Sequence, residues 1–239
     1  MDIVTSARYN IPLVQRGCVM PNTYKEESLD GAGGLKIFVR SWRPDQPPRQ
    51  AVKLARQREP GKPLYILGHS AGGVIACTYV LDNQKDIAGL VCESFAYRVP
   101  APDFALAVLK GLSHLAPHAH VLNLPKKDFS RDPKVVQALI DDPLLANEVQ
   151  PTKTVAEMVR ADERLKRDFP LFTLPLLIIH GTRDTVTRPE GSQEFHARAS
   201  SADKTLKLYE GYFHDPLNDI GKEAVMADVR AWIEKRLPG

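Results

Sequence analysis

The sequence predicts an α/β fold, with a mostly parallel sheet flanked by helices and interrupted by a helical insertion. Three observations carry this. Short apolar runs bounded by turns recur at residues 64–67, 87–92, 176–179 and 205–209, each the length of a buried parallel strand. Helical patterns separate them, and strands alternating with helices build parallel sheets. The first run enters Gly68-His69-Ser70-Ala71-Gly72, and a helical stretch over 74–81 follows at once. Such a strand-to-helix turn is so sharp that the residues flanking the serine must be small. The serine is held strained with its hydroxyl exposed.

The 239 residues suit one large α/β domain or two small ones, and 43% hydrophobic with 26% charged residues allows a real core. A net charge of +3, from scattered Lys and Arg, leaves no nucleic-acid footprint. Cys18, Cys77 and Cys92 are odd in number and irregular in spacing. That argues against a disulfide framework and for a reducing compartment. No pair has metal-ligand spacing, so neither metal nor cofactor is expected, and Cys77 and Cys92 read as small buried hydrophobes. Residues 1–16 lack a signal-peptide pattern, and no apolar run reaches the length of about 18 residues that spans a bilayer. A cytoplasmic location is expected, with peripheral membrane contact through an amphipathic segment left open. No oligomeric state follows.

Along the chain, residues 1–34 are mixed and 30–34 form a turn. Residues 35–42 alternate as a strand does, before a break at Pro44, Pro47 and Pro48. Residues 51–58 read as the end of a helix closed by Pro60-Gly61. The first part of the sheet core spans residues 1–95 and is incomplete near 49–52. Residues 96–172 break the strand–helix rhythm with helical patches at 104–115, 134–140 and 154–166, and read as a cap over the sheet edge. The second part of the core, 173–239, carries a helix near 193–199 and a closing helix over 222–237. That helix has Ala224, Val225, Val229, Trp232, Ile233 and Leu237 on one face. No internal repeat is present.

A serine hydroxyl is a poor nucleophile at neutral pH. It needs a base within hydrogen-bond reach, and the base needs an orienting carboxylate. Two later segments supply them in the chain order that follows such a turn. After Ile178-Ile179, the chain turns at His180-Gly181 and presents Asp184. After Leu208-Tyr209, it turns at Gly211 and presents His214. Ser70, Asp184 and His214 thus fall in loops at one sheet edge. Each is bland alone: a Gly-rich turn, a turn-forming Asp, a solvated loop His. Their order makes a triad. Of the other histidines, His69 should point away from Ser70 and pack, and His180 should be a hydrogen-bonded core residue. His114, His118 and His120 fall in the cap without a metal role, and His196 on a helix surface.

Together these residues resemble the α/β-hydrolase superfamily, and within it the monoacylglycerol lipase and lysophospholipase group of serine aminopeptidase S33-type hydrolases. The likeness covers most of 27–237. It includes 34–44 with its Trp-Arg-Pro, 61–73, Asp142-Pro143-Leu144, 172–184 and 203–214. It implies an esterase acting on a small acyl-ester or lipid substrate, a fatty-acyl ester of glycerol or of a lysophospholipid. On this view His214 takes the proton from Ser70, Asp184 holds the imidazole, and the Ala71 backbone N–H is one oxyanion donor. Apolar residues of 104–124 would line an acyl channel. The alternatives are a catalytically impaired remnant that binds acyl lipids, and a serine aminopeptidase of the same fold.

One segment departs from the family. Two further strands with their helices belong between Trp-Arg-Pro and the serine's strand, one leading to a His-Gly loop that supplies the second oxyanion N–H. Only about twenty residues separate Pro44 from Leu64, whereas a single βαβ unit takes about thirty. Either the sequence as written omits residues joined near Arg49-Gln50-Ala51-Val52, or the chain is a genuine deletion product.

Overall fold

The computed structural model describes residues 24–30, 36–42, 52, 55–56, 60–97, 103–143, 145 and 149–237. In chain order, β1 (Tyr24–Asp30) pairs antiparallel with β2 (Lys36–Trp42), Tyr24 opposite Trp42 and Asp30 opposite Lys36. The alternation at 35–42 is a strand, as expected. Its partner was not foreseen, because YKEESLD carries no apolar alternation. Of the expected turn at 30–34, Asp30 ends β1, while 31–34, Cys18 and the junction residues 49–51 lie outside the described residues. Of the expected helix at 51–58, Val52, Ala55 and Arg56 are helical.

The site is carried by a second, parallel sheet of β3 (Tyr65–His69), β4 (Gly89–Glu93), β7 (Leu176–Gly181) and β8 (Lys204–Tyr209), in the order β3-β4-β7-β8. The two-residue period of a strand sends alternate side chains to opposite faces. Leu64, Ile66, Leu90, Cys92, Leu176 and Ile178 therefore join one apolar cluster, and Tyr65, Leu67, Val91, Leu177 and Ile179 another. The first is closed by α1 (Ala71–Asp82) through Val74, Cys77 and Val80, and by α5 (Pro189–Arg198) through Phe195. The second is closed by α6 (Lys222–Glu234) through Val225, Val229, Trp232 and Ile233. Ala224, expected on that face, is exposed because the buried stripe centres on 225, 229 and 232. Cys77 and Cys92 are buried free thiols, and burial pushes both thiols up.

Between β4 and β7 lie α2 (Asp103–Leu115), a short antiparallel ribbon of β5 (His120–Leu122) with β6 (Gln150–Pro151), α3 (Pro133–Asp141) and α4 (Thr152–Asp168). The three helices fall on the three expected patches. Asp132 caps α3 by accepting the Lys134 N–H, 2.9 Å away, with Pro133 at the first helical position. The α4 helix reaches both ways. Its Glu163 pairs with Lys110 of α2, while Leu165 and the following Phe169 are fully buried in the first sheet cluster. Among the described residues, no helix is long and apolar enough to cross a membrane.

Candidate active site

Ser70 sits between the end of β3 and the start of α1 with φ 53° and ψ −123°. That is a strained conformation for a residue with a Cβ, costing about 1–3 kcal/mol. Its surroundings impose it. The Ser70 N–H extends the ladder to β4 by donating to the Glu93 carbonyl at 2.9 Å, and the Ser70 carbonyl accepts from the Gly73 N–H at 3.0 Å. A Cβ on Gly68 would lie 2.5 Å from the Gly72 carbonyl oxygen and 2.7 Å from the Gly73 Cα, which is why the turn needs glycine there. Ala71 is the first residue of α1, so its N–H is among the donors that a helix leaves without an internal partner.

Asp184 follows β7. Its Oδ1 accepts the N–H groups of Val186 at 2.8 Å and Thr187 at 2.9 Å. Its Oδ2 accepts from the Thr187 hydroxyl at 2.7 Å and from His214 Nδ1 at 2.8 Å, and lies 3.0 Å from His180 Nε2. Burial opposes ionisation, but the hydrogen bonds from His180 and His214 outweigh it and hold the carboxyl far below the usual carboxylate range. His214 is fully buried, and burial lowers its pKa against the raising effect of Asp184. Its loop packs on the end of β7, where a Cβ on Gly181 would run into the carbonyl oxygens of Tyr212 and Phe213. The Phe129 ring meets the imidazole edge-on, with centroids 4.9 Å apart.

Of the three residues expected to form a triad, the structure hydrogen-bonds Asp184 to His214. His214 Nε2 is shielded from solvent and has no hydrogen-bond partner, so no bond links it to the Ser70 hydroxyl in this conformation.

Two other histidines join the cluster. His180 is fully buried, as expected, between the Ser192 hydroxyl at Nδ1 (2.7 Å) and Asp184 at Nε2. Those partners place its proton on Nε2, because Asp184 can only accept. His69 packs, as expected, but its ring lies against His214, with centroids 4.8 Å apart. Its Nδ1 lies 3.3 Å from the Glu93 carboxylate. Burial disfavours a charged His69, yet Glu93, Asp215 and Asp184 together raise it to about 9. Burial, aided by Glu93, pushes Asp215 up to about 6.

Glu93 is the site residue that sequence reasoning missed. It follows the apolar run 87–92 and belongs to no motif, but it is buried, and its Oε1 accepts the Leu217 N–H at 2.8 Å. Only its register beside His69 would have signalled this. Ligand atoms of His69, Glu93 and Asp215 lie within 4.8 Å of one another. These are the only metal-capable donors grouped so among the described residues, and ion pairing between His69 and Glu93 accounts for them.

A family model described as serine aminopeptidase, S33, matches residues 48–221. A monoacylglycerol lipase of Mycolicibacterium smegmatis is 32% identical over 193 residues, 79% of this chain and 68% of that protein. A human monoglyceride lipase is 28% identical over 192 residues, and this chain spans 63% of its length. The crystal structure of a Paleococcus ferrophilus monoacylglycerol lipase superposes with a TM-score of 0.70 at 26% identity, covering 85% of this chain and 84% of that one. The strained serine turn, the parallel sheet behind it and the match across most of the chain lead to one assignment: this chain belongs to the serine aminopeptidase S33 family of α/β-hydrolases.

Proposed function

We propose that the chain is a serine hydrolase of the monoacylglycerol lipase or lysophospholipase kind, cleaving fatty-acyl esters through an acyl-enzyme. The observation that carries this is the buried Asp184–His214 hydrogen bond at 2.8 Å, which occupies Nδ1 and leaves Nε2 as the unpaired nitrogen. In the reaction, Ser70 Oγ attacks the ester carbonyl while Nε2 takes its proton. Asp184 stabilises the imidazolium, which then protonates the departing alcohol. Water activated by His214 releases the fatty acid. The Ala71 N–H stabilises the oxyanion. The sequence holds no His-Gly loop for a second donor, and one such donor is worth about 10²–10³ in rate.

Residues 96–172 serve as the cap in this reading. Phe104, Val108 and Leu115 of α2 are 74%, 66% and 87% exposed, a stripe at helical spacing suited to a lipid surface. A second reading, an acyl-lipid binder with impaired turnover, is favoured by the absent Ser70–His214 bond and the missing oxyanion loop. The test is labelling by a fluorophosphonate probe, with Ser70→Ala as control, beside turnover of p-nitrophenyl esters, monoacylglycerols and an aminoacyl anilide. Labelling lost in Ser70→Ala, with ester turnover, supports the proposal. A folded protein that binds acyl ligand without labelling supports the second reading, and preference for the anilide points to a peptidase.

A further inference from the structure

Glu93 is a carboxylate 2% exposed that the proposed reaction itself does not use. Its backbone and side chain together touch three parts of the site. Its backbone carbonyl holds the Ser70 N–H at 2.9 Å. Its Oε1 holds the Leu217 N–H at 2.8 Å, three residues beyond His214. Its Oε2 lies 3.3 Å from His69 Nδ1. The His69 ring in turn lies 4.8 Å from that of His214, tilted by 55°, while Phe129 closes another side. A buried carboxylate is costly unless it is paired and hydrogen-bonded, and Glu93 spends its oxygens on these two links.

We propose that Glu93 and His69 are a positioning pair: Glu93 ties the turn bearing Ser70 to the loop after His214, and its carboxylate holds the His69 ring against the His214 ring. This inference rests on the proposed roles of Ser70 and His214. Its consequence is electrostatic. The groups facing His69 are Glu93 from β4, Asp184 from the loop after β7, and Asp215 and His214 from the loop after β8. Those facing His214 are Asp184, Asp215 and His69. Of these, His69 opposes a second positive charge on His214, so it keeps the base neutral and ready to accept a proton at lower pH. The pair also gives the half-buried Asp215 a cation nearby.

Two readouts test this. One is the pH dependence of fluorophosphonate labelling of Ser70, and the other is the NMR titration of the His214 imidazole, which needs no activity. In His69→Gln the midpoint of both should rise by about one pH unit, since a like charge about 5 Å away has been removed. Glu93→Gln keeps an acceptor for the Leu217 N–H but loses the charge that stabilises the His69 cation, so its midpoint should rise in the same direction. The double variant should rise no further than His69→Gln alone. A fall in labelling rate with both midpoints unchanged would reduce the pair to a structural role and overturn the proposal. So would a double variant whose shift is the sum of the singles. If Glu93→Gln does not fold, His69→Gln decides the matter, because that side chain is 31% exposed and tolerates exchange. Absence of labelling in the unsubstituted protein, with the NMR shift still present, would sink the hydrolase reading and leave the charge coupling intact.

Discussion

Asp184 is held so completely that its removal has a specific expected outcome. In Asp184→Asn the side-chain oxygen still accepts the Val186 and Thr187 amides, so the loop should persist. The amide NH₂ would then face His214 Nδ1 and Thr187, forcing the imidazole into the other tautomer. A fall in kcat of about 10⁴ is expected, by the precedent of this change in serine proteases, measured on a p-nitrophenyl ester with circular dichroism as the fold control. The pH profile follows from the same contacts. On the proposed mechanism His214 accepts a proton only when neutral, and burial holds its pKa below 6.5. Asp184 remains ionised well below that. The kcat/KM of the unsubstituted enzyme should therefore rise with pH through a midpoint below 6.5 and level off above it. These residues were readable because each lies one short turn after a recognisable strand. Glu93 was not, because its role depends on a neighbouring strand and on a loop 124 residues away.

At the scale of elements, α4 has the most to lose. Its Glu163 pairs with Lys110 of α2, and two residues on, Leu165 is fully buried on the sheet with Phe169, whose ring stacks on Phe195 at 4.6 Å. Leu165→Ala should cost about 2–5 kcal/mol, because both transfer energy and a cavity are involved. It should lower the urea midpoint without changing the slope. On α2 the expected effect is different in kind. Val108→Asp with Leu115→Asp alters exposed positions, so stability should barely move. Hydrolysis of monoacylglycerol in vesicles should fall relative to that of a soluble short-chain ester, measured side by side. Helices α2, α3 and α4 were legible from their periodicity. The ribbon of β5 with β6 was not, since two- and three-residue strands carry no period, and β1 was not, since YKEESLD carries no apolar alternation.

For the molecule as a whole, the pairing of β3 sets the next expectation. Among the described residues β3, the strand that delivers Ser70, has a partner only in β4, whereas β4 and β7 are each paired on both sides. The side chains of β3 are buried all the same, Leu64, Tyr65, Ile66 and Leu67 each being at most 7% exposed. Hydrophobic burial thus holds the strand in place while one row of its backbone groups lacks a strand partner among the described residues. An unpaired buried backbone group costs about 1–3 kcal/mol, and openings of least free energy begin where backbone pairing is thinnest. Hydrogen exchange read by mass spectrometry should therefore show peptides covering 64–70 exchanging faster than those covering 89–93 or 176–181. Binding of a covalent inhibitor at Ser70 should slow the first group selectively. Equal protection across all three would mean that β3 has a second partner. That would point to further chain pairing there, in the place where the family carries the strand leading to its oxyanion loop. The rate of the enzyme would then have to be judged with two oxyanion donors instead of one.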